Sequence, residues 1–162
     1  MEAYDKKFGK DRIARMIPHM TQVGKQDGIS FSFGGKVANT MRSHRLLELA
    51  RRQARAEGDV RESKVDRCAE ALFRAYFENE ESPGDPDVLL RAASEAGVDD
   101  VNLSFVEGSE CESEVRREIR KYQGGLGIRG VPYFIINEEY QLSGAQEPEA
   151  FVDIFREIAS NK

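Results

Sequence analysis

The chain has 162 residues, 40% of them hydrophobic and 33% charged, with a formal net charge of −5. That length and balance fit one globular domain, or one domain with an insertion, and the acidity argues against nucleic acid and anionic membranes as partners. No apolar run approaches the ~20 residues of a membrane helix, and the charged start Met1-Glu2-Ala3-Tyr4-Asp5-Lys6-Lys7 has no secretory signal, so a cytoplasmic location is expected.

In chain order, Asp11 to Gly24 places Ile13, Met16, Ile17, Met20 and Val23 on one helical face. Gly24 is a candidate cap for its end, and Pro18 inside the pattern predicts a kink or break. Ile29 to Phe33 alternates apolar and polar residues and reads as a short extended segment. Asn39 or Thr40 can cap a helix to about Ala56, with a stripe of Leu46, Leu47, Ala50 and Ala54. From about Val60 to Asn79 the pattern predicts a central core helix, its stripe being Val65, Cys68, Ala69, Leu72, Phe73, Tyr76 and Phe77.

Asp85-Pro86 is a strong helix start, an N-cap followed by proline at the first helical position, and Gly97 ends that helix. Val101 to Val106 predicts a short helix. Ser109 and Glu112 have capping-box spacing before a helix that carries Arg116, Arg117, Arg120 and Lys121 and stops at Gly124-Gly125. Tyr133–Asn137 and Tyr140–Ser143 predict a β-hairpin turning at Asn137-Glu138-Glu139, and Pro148 opens a terminal helix.

The two cysteines, Cys68 and Cys111, form neither a CxxC pair nor a zinc pattern, and His19 and His44 are too few for a metal site. No metal is expected. Cys68 lies on an apolar face and reads as an inert buried thiol. Cys111 stands among Ser109, Glu110, Glu112 and Glu114, and is expected to be exposed and incidental. His44 reads as a helix-surface or satisfied core residue, and Arg51-Arg52 with Arg55 as a solvated face. Phe73, Tyr76, Phe77, Phe151 and Phe155 are expected in the core.

Five stretches occur in one order: Tyr4 with Lys7-Phe8-Gly9; Asn39-Thr40 with His44-Arg45-Leu46; Leu72-Phe73-Arg74-Ala75-Tyr76-Phe77; Gly130-Val131-Pro132-Tyr133-Phe134; and Ser143-Gly144-Ala145-Gln146. Together they resemble FrnE-type proteins of the DsbA-like thioredoxin-fold family, relatives of 2-hydroxychromene-2-carboxylate isomerase. The resemblance implies an α/β fold: a mostly helical DsbA-type domain over residues 1–123, then the C-terminal ββα half of a thioredoxin fold over 124–162. It also implies a cis bond before Pro132. Val131 would then offer its backbone to an extended thiol peptide or to glutathione, with Gly130 and Pro132 completing the substrate-binding segment.

Family members begin with a strand, a Cys-Pro-x-Cys helix start and a second strand, which this sequence does not contain. No catalytic residue is therefore expected in the chain. Three functions follow from the resemblance: a relative of thiol–disulfide oxidoreductases whose nucleophile comes from elsewhere, a non-catalytic binding module, or a glutathione-dependent isomerase or transferase relative. The strand Tyr133–Asn137 would present an open edge, which predicts a homodimer through the hairpin. Alternatively, Ile29 to Phe33 would fill part of that gap.

Overall fold

The structure, a computed structural model, describes residues 9–161. Tyr4 and Lys7-Phe8 of the resemblance and the charged start lie outside the described residues. The described residues form a mostly helical α/β fold with a two-stranded antiparallel sheet near the C-terminus. Two compact units make up the chain, one running to Arg116 and the other from Arg117 onward.

In the first unit, α1 spans Lys10–Gln26. The helix continues through Pro18 instead of breaking there. It also runs two residues past Gly24, whose carbonyl accepts the N–H groups of Asp27 at 3.0 Å and Ile29 at 2.8 Å. Gly24 is thus a packing residue and not the terminal cap: a Cβ on it would run into the Phe31 ring. The left-handed residue that turns the chain is Gly28, at φ 77°.

The segment after Gly28 is extended but forms no strand. It is tied to the end of α3 (Ser63–Phe77). The Ser32 N–H donates to the Phe77 carbonyl at 2.7 Å, and the Gly34 N–H donates to the Glu80 carboxylate at 3.0 Å. The Phe31 ring meets Phe77 edge-on, with centroids 5.8 Å apart. Ile29 to Phe33 therefore completes the helical unit and does not join the sheet.

The core lies where α2 (Met41–Ala56), α3 and α4 (Pro86–Ala96) pack together. Leu46, Cys68, Leu72 and Leu89 fill it, while Ala50, Ala71, Ala75, Ala92 and Ala93 let the helix backbones approach closely. Each buried leucine contributes roughly 1.5–3 kcal/mol relative to exposure.

Caps set the helix ends. The Asn39 side chain, not Thr40, accepts from the Met41 N–H at 2.9 Å. Helix α3 begins at Ser63, later than expected, because Asp59 accepts from the backbone N–H groups of Arg61 at 3.1 Å and Ser63 at 2.8 Å. Asp85 caps α4 by accepting from Asp87 at 2.9 Å, and Gly97 ends it at φ 70°. Asn102 caps α5 (Leu103–Glu107) through the Phe105 N–H at 3.0 Å.

Helix α6 (Glu112–Ile119) leads into a π-turn, Arg120–Gly125, that ends at the predicted glycine pair. In the second unit, β1 (Tyr133–Ile136) and β2 (Tyr140–Ser143) pair with Phe134 opposite Leu142 and Ile136 opposite Tyr140. Asn137 and Glu138 turn the hairpin at φ 52° and 61°. Helix α7 (Pro148–Ser160) covers one face of the hairpin, with Phe134 edge-on to Phe151 at 4.9 Å. Phe155, expected in the core, is exposed.

Candidate functional site

The Gly130–Pro132 segment enters β1 from an exposed loop. Val131 keeps 91% of its surface in solvent, and Gly130 and Pro132 are also exposed. The Val131–Pro132 peptide bond is cis. One backbone bond fixes the segment to the other end of the hairpin: the Gly144 N–H donates to the Pro132 carbonyl at 2.9 Å. Gly144 has φ 81°, a conformation that costs a side-chain-bearing residue roughly 1–2 kcal/mol. The Gln146 amide then donates to the Ser143 carbonyl at 2.8 Å. Two stretches carrying the sequence resemblance, Gly130–Phe134 and Ser143–Gln146, thus meet in space. Among the described residues, no hydrogen bond engages the Val131 backbone. The segment can receive an extended backbone by ordinary strand-type hydrogen bonds.

Neither thiol accompanies it. Cys68 is fully buried in the α2–α3–α4 core, and burial pushes its thiol up to about 12. Cys111 is also buried, contrary to the exposed position expected from its polar neighbours. It sits just before α6 at φ 63°, and its Sγ accepts from the Arg52 guanidinium at 3.3 Å. Burial raises its thiol above the ordinary value, against the opposing pull of Arg52, and Glu110 and Glu114 add to the rise. Among the described residues, no three of His, Cys, Asp and Glu cluster as a metal site. No helix of these residues is long and apolar enough to cross a membrane.

A second concave site lies in the helical unit. Its cavity, of about 290 Å³, is lined by His44 and Leu47 of α2, by Phe73, Tyr76 and Phe77 of α3, and by Pro83. Phe73 was expected in the core but is 57% exposed. The reason is angular. At about 100° per residue, Phe73 stands roughly 140° around the helix from Cys68, whereas Ala71, Leu72 and Ala75 stay within about 60° of it. The small alanines define the buried face, and the aromatics beside it form a groove wall.

The stretch Asn39–Leu46 divides its roles residue by residue. Asn39 caps, His44 faces the groove, and Leu46 is fully buried in the core. Arg45 is 2% exposed and donates to the carbonyls of Glu110 at 2.7 Å, Val106 at 3.2 Å and Phe105, with its guanidinium 5.0 Å from the Phe105 ring centroid. This clamp has no signature in the sequence, because its acceptors are backbone groups some sixty residues away. The arginines after it are not a free cationic face: Arg51 pairs with Glu48, Arg52 with Glu110 at 3.5 Å, and Arg55 with Glu62 at 3.0 Å.

Among curated proteins, no sequence matches this chain. A family model, the DSBA-like thioredoxin domain, matches residues 1–156, which include the helical unit, the hairpin and most of α7. With that match spanning nearly the whole sequence, the chain belongs to the DSBA-like thioredoxin domain family.

Proposed function

We propose that the chain serves thiol–disulfide chemistry of the DsbA type by holding an extended thiol substrate, a cysteine-containing peptide or glutathione, along Gly130–Val131–Pro132. The attacking thiolate is neither Cys68 nor Cys111. The observation that carries this reading is the separation of roles in the chain: an exposed backbone at Val131, and two cysteines buried with thiols raised above the ordinary value. A thiol attacks disulfides as its thiolate, and both of these are held protonated at neutral pH.

Reduction of insulin disulfides tests it. The chain alone, with no attacking thiolate of its own, should not speed reduction above the background rate, and changing both cysteines to alanine should leave that rate unchanged. Activity that disappears with the cysteines would overturn the assignment.

A second reading is a binding module without redox chemistry, supported by the groove beside His44. Its aromatic walls suit an apolar group better than the backbone of an extended peptide. Substitution of Phe73 that abolishes ligand binding while Val131 substitution leaves it intact would favour this reading.

A further inference from the structure

We propose that Arg129 makes the Gly130–Val131–Pro132 segment selective for anionic thiol substrates, by taking a carboxylate that lies beside the cysteine of the bound molecule. Selection of this kind rests on the segment's substrate-holding role. The charge pattern points to it first. From 119 to 137 the sequence has no Asp or Glu, although the whole chain has 29 of them and a net charge of −5. Arg120, Lys121 and Arg129 are the only charged residues of that stretch, and all three are exposed. Several arginines outside it pair with carboxylates, as Arg91 does with Glu81 at 2.6 Å and Arg55 with Glu62 at 3.0 Å. Among the described residues, Arg120, Lys121 and Arg129 make no ion pair. A locally cationic stretch thus adjoins the substrate-holding backbone of an acidic protein.

Backbone geometry gathers these cations. After the π-turn the chain folds back on it: the Leu126 N–H donates to the Lys121 carbonyl and the Ile128 N–H to the Tyr122 carbonyl, each at 3.0 Å. Gly127, at φ 66°, allows the reversal. Arg129, the next residue after Ile128, is therefore held beside Lys121 and Tyr122. The Lys121 ammonium itself lies 5.2 Å from the Tyr122 ring centroid. On the other side, Val131 is two residues away, a span of at most about 7 Å. A carboxylate next to the cysteine of a molecule bound along Val131 comes within reach of the guanidinium.

The carboxylates nearest in the hairpin unit are engaged or distant. Glu138 and Glu139 stand at the far end of β1, whose four residues span roughly 13 Å. That exceeds the ~8 Å over which charges act in physiological salt. Glu147 and Glu149, which follow the Gly144 contact, lie at the N-terminus of α7, where the helix dipole stabilises them. A guanidinium binds a carboxylate through two parallel N–H···O bonds. The ligand class is therefore a cysteine thiol or disulfide with a carboxylate close by. Oxidised glutathione supplies one from its own backbone, and an acidic protein segment from Asp or Glu side chains.

NMR titration of the full chain, read at the Gly130, Val131 and Gly144 amides, is the test. Two pairs of probes are compared: end-blocked Glu-Cys-Glu against Gln-Cys-Gln, and glutathione against its glycine methyl ester. The acidic member of a pair should bind about three- to fivefold more tightly, as one exposed ion pair allows. A preference within the peptide pair assigns the carboxylate to a protein side chain, and one within the glutathione pair to glutathione. Arg129→Gln should abolish the preference and leave the neutral probes unchanged, which also shows that the variant keeps its fold. Arg129→Lys should keep the preference at reduced size, since an ammonium lacks the planar fork. Equal binding of acidic and neutral probes at the segment overturns the role of Arg129 but leaves the substrate-holding role standing. A preference that survives Arg129→Gln overturns it too. Probes that shift none of the three amides remove the substrate-holding role and this selectivity together.

Discussion

The Gly144 N–H donates to the Pro132 carbonyl at 2.9 Å, so the residue after β2 holds the residue before β1. This bond closes the open end of the hairpin and sets the direction in which Val131 leaves it. Gly144 can make it because it adopts φ 81° without a Cβ. Gly144→Ala should lower the stability of the second unit by roughly 1–2 kcal/mol, and weaken peptide binding at Val131 in step. Urea titration followed by hairpin NMR signals measures the first effect. An unchanged midpoint would mean the bond contributes nothing.

The rotated face of α3 makes a paired prediction. Leu72 is buried and Phe73 is 57% exposed, although they are neighbours on one apolar stripe. Leu72→Ala should cost about 2–5 kcal/mol through lost burial and a cavity. Phe73→Ala should cost under about 1 kcal/mol, because an exposed ring has little burial to lose. Equal costs from thermal unfolding would place Phe73 back in the core.

Arg45 should be irreplaceable. Its guanidinium satisfies three buried or half-buried carbonyls of the α5 end and the loop after it. Arg45→Met keeps the stem volume but leaves those acceptors dry, at a cost of about 3 kcal/mol or more. Arg45→Lys should recover little, since an ammonium cannot span three acceptors in one plane. Denaturant midpoints of the two variants check this; a fully rescuing lysine contradicts it.

The pH dependence has a defined sign at Glu80. The Ser32 hydroxyl, and then the Gly34 N–H, hold its carboxyl below the ordinary glutamate value. A carboxylate depressed in the folded state stabilises the fold above its unfolded pKa, and that stabilisation is lost as pH falls through the folded pKa. The clamp on residues 28–35 should therefore loosen in acid, below the usual glutamate range, and the Gly34 amide should lose protection there relative to its intrinsic exchange rate. Glu80→Gln should make that protection independent of pH over the same interval.

Much of the helical framework was legible because it rests on local rules. Asp85-Pro86, Gly97 and the hairpin turn each announce themselves through capping or turn chemistry within a few residues. The burial of Cys68 also followed from its place on an apolar helical face. What escaped detection depends on contacts distant in sequence. The polar neighbours of Cys111 suggested a surface thiol, but burial after α5 and the Arg52 contact decide its state. The stripe of α3 looked broad because periodicity counts apolar residues and does not reveal which of them face another helix. The small Ala71 and Ala75, omitted from that stripe, mark the face where backbones approach.

The substrate-holding role of Gly130–Val131–Pro132 is tested most directly by NMR. The isotope-labelled chain is titrated with oxidised glutathione and, separately, with a short cysteine-containing peptide. The amide signals of Gly130, Val131 and Gly144 should shift together and saturate, and Cys68→Ala/Cys111→Ala should bind equally well. Shifts confined to the groove around His44 and Phe73, or binding lost with the cysteines, would contradict that role.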